Sequence, residues 1–236
     1  VEEALEEVLK PIASLEATQV PIGDALDLVL AQTIKAPMDL PRWDNSGMDG
    51  YAVRAYDIVG ASNDKPKTLP VIGEVAAGSL PTIKLAPKTA IRIMTGAPIP
   101  TGADTIVRFE DTDESIRQKN HEPLTSISIL KETPQGEAIR AQGEDIKAND
   151  IVFEPGATIN PGVIGVLASL GLTHTSVFRR PRVAILSTGD EVVEPGKTLG
   201  PGQIFDSNSH SLAALIRNLG AQPQMIGIAK DTVEDL

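Results

Sequence analysis

Proline recurs at positions 66, 70, 81, 87, 98 and 100. Each proline lacks a backbone N–H and its ring clashes with the preceding helical turn, so no long helix fits this stretch. The residues around them read instead as short strands broken by turns: 69–75, with Gly73 as a bulge or a point of close approach, then 89–94 and 105–110. Residues 112–121 are polar and charged and read as a hairpin tip, with further strands at 126–130 and 137–140. This grammar predicts an all-β, barrel-like insert.

The flanks follow other periods. Val1, Ala4, Leu5, Val8 and Leu9 fall on one helix face, limited by Pro11. A second helix is predicted from Asp24, as N-cap, through Ala25, Leu26, Val29 and Leu30. Residues 33–36 read as extended, and Pro37 and Pro41 bracket a linker. Beyond the insert, 151–153 and 175–178 read as strands, and between them Asn160 caps a helix with Pro161 in its first turn and Gly171 past its end. At Arg182 the pattern changes. Val183-Ala184-Ile185-Leu186-Ser187 suits a strand buried on both faces of a parallel sheet. Asp206-Ser207-Asn208 is expected to cap a helix over 209–219, 225–229 to form a second parallel strand, and Asp231 to cap one more helix. Strand, loop, helix and strand make a βαβ unit. Ligands of such sheets bind outside the carboxyl ends of the strands, where Thr188-Gly189-Asp190-Glu191 and Lys230-Asp231 fall.

Composition narrows the function. The 236 residues are 41% hydrophobic but 3% aromatic, so a core must be aliphatic. No apolar run reaches the ~18 residues that span a bilayer, and no charged-then-apolar leader is present. A net charge of −11 argues against nucleic-acid binding and against adhesion to an anionic membrane. The absence of cysteine excludes disulfides, thiolate catalysis and Cys-ligated metal, which suits a cytoplasmic protein. Gly196-Lys197-Thr198 is not a phosphate loop, because six residues separate Gly189 from Gly196 where four are required. His121, His174 and His210 are scattered without metal-ligand spacing.

Five oxygen-rich bends remain. Asp44-Asn45-Ser46-Gly47-Met48-Asp49-Gly50-Tyr51 is either a surface turn before a strand or a loop presenting oxygen ligands. Ile93-Met94-Thr95-Gly96-Ala97-Pro98 is either a plain turn or a hydroxyl and a free N–H aimed at an oxyanion. Gly143-Glu144-Asp145 could be a solvated acidic turn, Asp190 and Glu191 could be caps, and Asn208 a helix N-cap.

In order and spacing these blocks resemble the MoeA family of molybdopterin molybdenumtransferases, which includes the E domains of gephyrin and of the plant molybdenum insertase. The likeness lies in 44–53, in Arg92 through Pro100, in Gly102-Ala103-Asp104, in Gly143-Glu144-Asp145-Ile146, in Ser187 through Glu191 and in Asp206-Ser207-Asn208, with Gly47 where Ala is expected. The resemblance implies an α+β multidomain chain. Its parts would be an N-terminal helix and connecting segment (1–43), a β-barrel-like insert (44–141), a second connecting segment (142–178), and the start of a parallel α/β molybdopterin-binding domain (179–236), cut short. The family continues with a Gly-Gly-Val-Ser loop, a Pro-rich loop and a small β domain. It also implies a cytoplasmic homodimer with an active cleft shared between subunits, adenylylated molybdopterin and molybdate as substrates, Mg²⁺ as cofactor, release of AMP, and a molybdopterin adenylyltransferase as substrate donor. By motif match Asp49, Thr95, Asp145 and Glu191 would line the cleft, with Asp49, Asp145 and Glu191 as metal ligands. Ser46, Gly96, Thr188, Gly189, Asp190, Asn208 and Asp231 would contact substrate, with Thr95 and the Thr188-Gly189 backbone donating to oxyanions. The competing readings are a non-enzymatic scaffold of the gephyrin type and a molybdopterin adenylyltransferase. The intact acidic and Thr-Gly loops favour the enzyme over the first, and the β insert speaks against the second.

Overall fold

Short strands dominate the computed structural model, which describes residues 2–232. In chain order the elements begin α1 (Glu2–Leu9), β1 (Ala17–Pro21), β2 (Val29–Leu30), β3 (Ile34–Lys35), β4 (Asn45–Ser46), β5 (Gly50–Val53), β6 (Lys67–Val75), β7 (Ala90–Ile93) and β8 (Thr105–Arg108). They continue α2 (Glu114–Lys119), β9 (Ser126–Ile129), β10 (Ile139–Arg140), β11 (Ile151–Phe153), α3 (Pro161–Ser169) and β12 (His174–Phe178). The last are β13 (Arg182–Thr188), β14 (Val192–Val193), β15 (Ile204–Phe205), α4 (Asn208–Asn218) and β16 (Gln222–Ala229). Val1 and the helix expected after Asp231 lie outside the described residues. The chain divides into two units, Lys35–Asp150 and Val1–Ile34 with Ile151–Leu236.

The Lys35–Asp150 unit is built on a five-stranded mixed sheet, ordered β8-β5-β7-β6-β9. β5 pairs antiparallel with β7 and β8, β6 runs parallel to β7, and β9 closes the order antiparallel to β6. The order has two ends, so the hydrogen-bonded ring of a true barrel is not formed among the described residues. The β6–β7 register shifts between Val71 and Glu74, which is the bulge expected at Gly73. Side chains alternate across the sheet. Tyr51, Val53, Ala90, Val107, Ile127 and Ile129 pack on one face, and Ala52, Ile91, Ile93 and Ile106 on the other. β5 is therefore buried throughout. Each fully buried Val, Leu or Ile contributes about 1.5–3 kcal/mol, so packing on both faces adds substantially to what the ladders supply.

The hairpin tip expected over 112–121 is instead helix α2. Its buried residue is Glu114, 2% exposed. Tyr51 Oη donates to Glu114 Oε2 at 2.6 Å, while Arg92 Nη2 at 2.9 Å and Gln118 Nε2 at 2.8 Å donate to Oε1. Arg92 also lies 4.7 Å over the Phe109 ring, and Phe109 meets Tyr51 edge-on. The helix turns a hydrogen-bonded carboxylate inward, a pattern that apolar periodicity cannot reveal.

In the other unit β1, β12 and β2 form an antiparallel sheet. The helix expected from Asp24 is absent: residues 22–24 make one 3-10 turn, Asp27 takes φ 59°, and Val29–Leu30 pair with Val177 and Phe178. Strand pairing overrides the helical spacing. Asn160 caps α3 as expected, its Oδ1 accepting from Val163 N–H at 3.0 Å. Asn160→Ala is expected to lower the stability of this unit by about 1 kcal/mol in urea titration. β13 and β16 are parallel, with α4 between them in sequence. The expected burial on both faces is not found. Ile185 is buried, but Leu186, which points to the opposite face, is 45% exposed, since α4 is the one element that packs substantially on these strands among the described residues. α1 is present with none of its residues buried. No described helix is long and apolar enough to cross a membrane.

Candidate functional site

In the Lys35–Asp150 unit three of the motif loops are stitched together by backbone bonds. Ser46 N–H donates to Ala97 O at 3.0 Å and Gly96 N–H to Ser46 O at 2.8 Å, locking the 44–50 loop to the Thr95-Gly96 turn. β10 pairs with β4, Arg140 opposite Asn45, and Gly47 N–H donates to Ala138 O at 2.8 Å. The Gly143-Glu144-Asp145 loop follows directly. It is held by Gly143 N–H to Pro41 O at 2.9 Å and by Asp39, whose carboxylate accepts from Ala148 N–H and Gln142 Nε2. Those two bonds, the backbone one foremost, hold the Asp39 carboxyl below the usual carboxylate range.

At this junction Asp49 is exposed and ordered by one neighbour. Thr95 N–H and Thr95 Oγ1 both donate to Asp49 Oδ1, each at 2.7 Å. The two bonds, backbone first, keep the Asp49 carboxyl below its ordinary value of 3.8, so it is ionised at neutral pH. Its Oδ2 accepts no hydrogen bond from the described residues. The geometry corrects the expected role of Thr95: its donors are committed to Asp49 and are not free for an oxyanion. Gly96, at φ 82°, likewise uses its N–H within the fold. Ser46 is buried and its hydroxyl donates to Met48 O, so it shapes the loop from within. Asp145 is exposed and pairs through Oδ2 with Arg140.

The second group lies in the other unit, at the carboxyl ends of β13 and β16, beside a cavity of ≈ 290 Å³ lined in part by Ser187, Thr188, Asp206, Asn208 and Ser209. Thr188 sits opposite Ala229, and Gly189 N–H donates to Ala229 O at 3.2 Å, so this amide too is committed. Asp190 and Glu191 are exposed, and the Glu191 carboxylate folds over Gly189 so closely that a Cβ there would lie 2.6 Å from Oε2. Asp231 is exposed in the bend after β16. Asn208 is not the cap of α4 but its first residue. The capping oxygen is Asp206 Oδ1, which accepts from Ser209 N–H at 3.0 Å. Ser187 Oγ donates to Asp206 Oδ2 at 2.8 Å, and the Ser187 and Ser209 hydroxyls are in short hydrogen-bond contact with each other. Burial pushes the Asp206 carboxyl up, but these bonds outweigh it and hold it below the usual range. The sequence places Asp206 in the capping triplet but singles out Asn208 as the N-cap; the three-residue spacing from Asp206 to Ser209 was the available signal for the right oxygen.

Among the described residues no group of three or more His, Asp or Glu gathers to hold a metal ion. Of the three expected metal ligands, Asp49 and Asp145 belong to one unit of the chain and Glu191 to the other.

A family profile described as MoeA N-terminal region (domain I and II) matches residues 1–171. The chain belongs to the MoeA family. A second profile, probable molybdopterin binding domain, matches residues 184–236. This MoeA chain is 42% identical over 214 residues to molybdopterin molybdenumtransferase 2 of Mycobacterium tuberculosis, a match covering 91% of the chain and 51% of that protein. It is 39% identical over 234 residues to the molybdopterin molybdenumtransferase of Staphylococcus epidermidis, covering 99% and 54%. Two crystal structures of molybdopterin biosynthesis MoeA proteins from Pyrococcus horikoshii superpose with TM-scores of 0.80 and 0.86. Their identities are 37% and 30%, with 99% of this chain covered and 58% and 60% of theirs. The chain thus spans about half the length of the curated relatives it matches.

Proposed function

We propose that the protein to which this chain belongs is a molybdenumtransferase of molybdenum cofactor biosynthesis, which inserts molybdate into adenylylated molybdopterin and releases AMP. The observation that carries this reading is Asp49: an exposed, ionised carboxylate fixed through one oxygen by both donors of Thr95, with the other oxygen uncommitted. A surface turn does not require such an arrangement. It suits a hard-cation ligand, whose oxygen is best charged, oriented and available, and the uncommitted second oxygen sets Asp49 apart from the braced Asp39 and Asp206.

Asp49 and Asp145 would hold Mg²⁺. Each keeps one oxygen outside the hydrogen bonds of the described residues, and Mg²⁺ is usually bound by one or two carboxylates with water and substrate phosphate completing its shell. When bound, the ion supplies Lewis-acid polarisation of the phosphoanhydride. Thr95 orients Asp49. Asp206 orients the Ser187 and Ser209 hydroxyls beside Thr188 and Asn208, at the strand ends where an open α/β sheet takes its ligand. The two groups of residues belong to different units of the chain. That separation is compatible with a homodimer in which Glu191, Asp190, Gly189 and Asp231 of one subunit complete the cleft of another, and with delivery of substrate by a molybdopterin adenylyltransferase.

The test uses the native-length protein and measures cofactor formation from adenylylated molybdopterin and molybdate. Asp49→Asn is expected to reduce the rate about 100-fold or more, and Thr95→Val roughly 10- to 100-fold as the loss of an orienting partner. Undiminished turnover in both Asp49→Asn and Glu191→Ala, with folding intact by circular dichroism, would sink the assignment in favour of a non-enzymatic scaffold.

A further inference from the structure

The guanidinium of Arg140 reaches two carboxylates at once. Its Nε donates to Glu144 Oε1 at 2.9 Å and its Nη2 to Asp145 Oδ2 at 2.5 Å. Glu144 is also held from a second side, by Ala141 N–H donating to Oε2 at 2.8 Å. Asp145 is not: among the described residues Arg140 is its side-chain partner and Oδ1 is uncommitted. The Arg140 backbone is fixed opposite Asn45 in the β10–β4 pairing, so its side chain moves only within reach of its stem. Its bonds to Glu144 and then Asp145 raise its pKa further, and it is a permanent positive charge.

We propose that Arg140 is the resident counter-cation of Asp145, and that a divalent cation binding at Asp145 must displace it. This rests on the reading of Asp145 as a metal ligand given above. Mg²⁺ binds a carboxylate oxygen directly at about 2.0–2.1 Å. A guanidinium on the neighbouring oxygen would then face a doubly charged ion only a few ångströms away, and like charges at that range repel. The Arg140 and Asp145 side chains are 44% and 56% exposed, the regime in which an ion pair contributes little. The guanidinium is therefore held firmly enough to occupy the carboxylate and weakly enough to leave it. Glu144 gives it a place to stay, because the Nε bond survives when Nη2 lets go. Arg140 is in this sense a positioning residue that sets the metal affinity and not a ligand.

The experiment titrates the native-length protein with Mn²⁺, following free Mn²⁺ by electron paramagnetic resonance. Arg140→Gln is expected to bind Mn²⁺ about fivefold tighter than the parent, the scale of one exposed ion pair. Arg140→Lys, which keeps the charge, should stay near the parent. Adding Asp145→Asn to the Gln variant should abolish the gain. Glu144→Gln, which leaves Asp145 as the sole carboxylate for the guanidinium, should weaken Mn²⁺ and provides an independent arm should Arg140→Gln fold poorly in EDTA. Unchanged or weaker Mn²⁺ affinity in Arg140→Gln, or a gain that survives loss of Asp145, overturns the displacement while leaving the metal site standing. Failure of every variant and the parent to bind Mn²⁺ overturns both.

Discussion

Glu114→Ala is expected to destabilise the Lys35–Asp150 unit by about 3–5 kcal/mol, the range seen when one partner of a buried ion pair is removed. The carboxylate is 2% exposed and takes bonds from Tyr51, Arg92 and Gln118 together. Its loss leaves the Tyr51 hydroxyl without its acceptor and the Arg92 guanidinium, 16% exposed, with the solvent-facing Glu74 as its remaining carboxylate among the described residues. Glu114→Gln keeps the shape and an acceptor, so its loss should be smaller, about 1.5–3 kcal/mol. Urea titration of the three proteins checks the order; a loss below ~1 kcal/mol for the alanine variant would mean the network does not support the sheet. Tyr51 adds a pH signature. Burial, and then its bond to Glu114, raises the phenol above its ordinary value of 10.0. Its contribution is therefore fully present below that value and is lost as pH rises beyond it. Tyr51→Phe should remove this alkaline component of unfolding.

Gly50→Ala should be as damaging for a different reason. A Cβ at Gly50 would lie 2.0 Å from Val107 O and 2.9 Å from Val107 C. Both are backbone atoms, and Gly50 is paired to Arg108 on one side and Ile93 on the other, so the strand cannot shift without opening two ladders. A loss of about 3 kcal/mol or more is expected, at the upper end of what overpacking does. Gly47→Ala is the matched control. Its Cβ would meet nothing nearer than Ala138 O at 3.4 Å, an ordinary contact. The smaller conformational freedom of alanine in the unfolded chain should make that change neutral or stabilising by up to ~1 kcal/mol. Comparable damage from the two substitutions in urea titration would show that close approach at β5 is not the cause.

The motifs were legible in the sequence because their composition is unusual: Asn, Asp, Ser, Gly and Thr cluster where strands end. Their partners were not. Thr95 reads equally well as a free donor or as a brace, and only the position of Asp49, 46 residues earlier, decides it. Asn208 looks like a cap, yet Asp206 supplies the oxygen. The β6 bulge and the α3 cap were readable because a glycine or an Asn-Pro pair fixes the local chain. Helix α2 escaped notice because its inward residue is charged, and the false helix after Asp24 arose because Val29 and Leu30 owe their conformation to β12, about 150 residues away. For β13 the apolar run was read correctly as a parallel strand, but the run alone does not say how many neighbours will cover it.

Asp49 immediately precedes β5, the strand packed on both faces of its sheet. A carboxylate mounted there is joined directly to a strand buried throughout while itself facing water. A ligand arriving at such a group finds it already set, and the ordering entropy that a mobile loop would lose on capture was lost when the sheet assembled. Affinity at that oxygen should consequently depend on what approaches it, its charge and its hydration, far more than on any rearrangement of the protein.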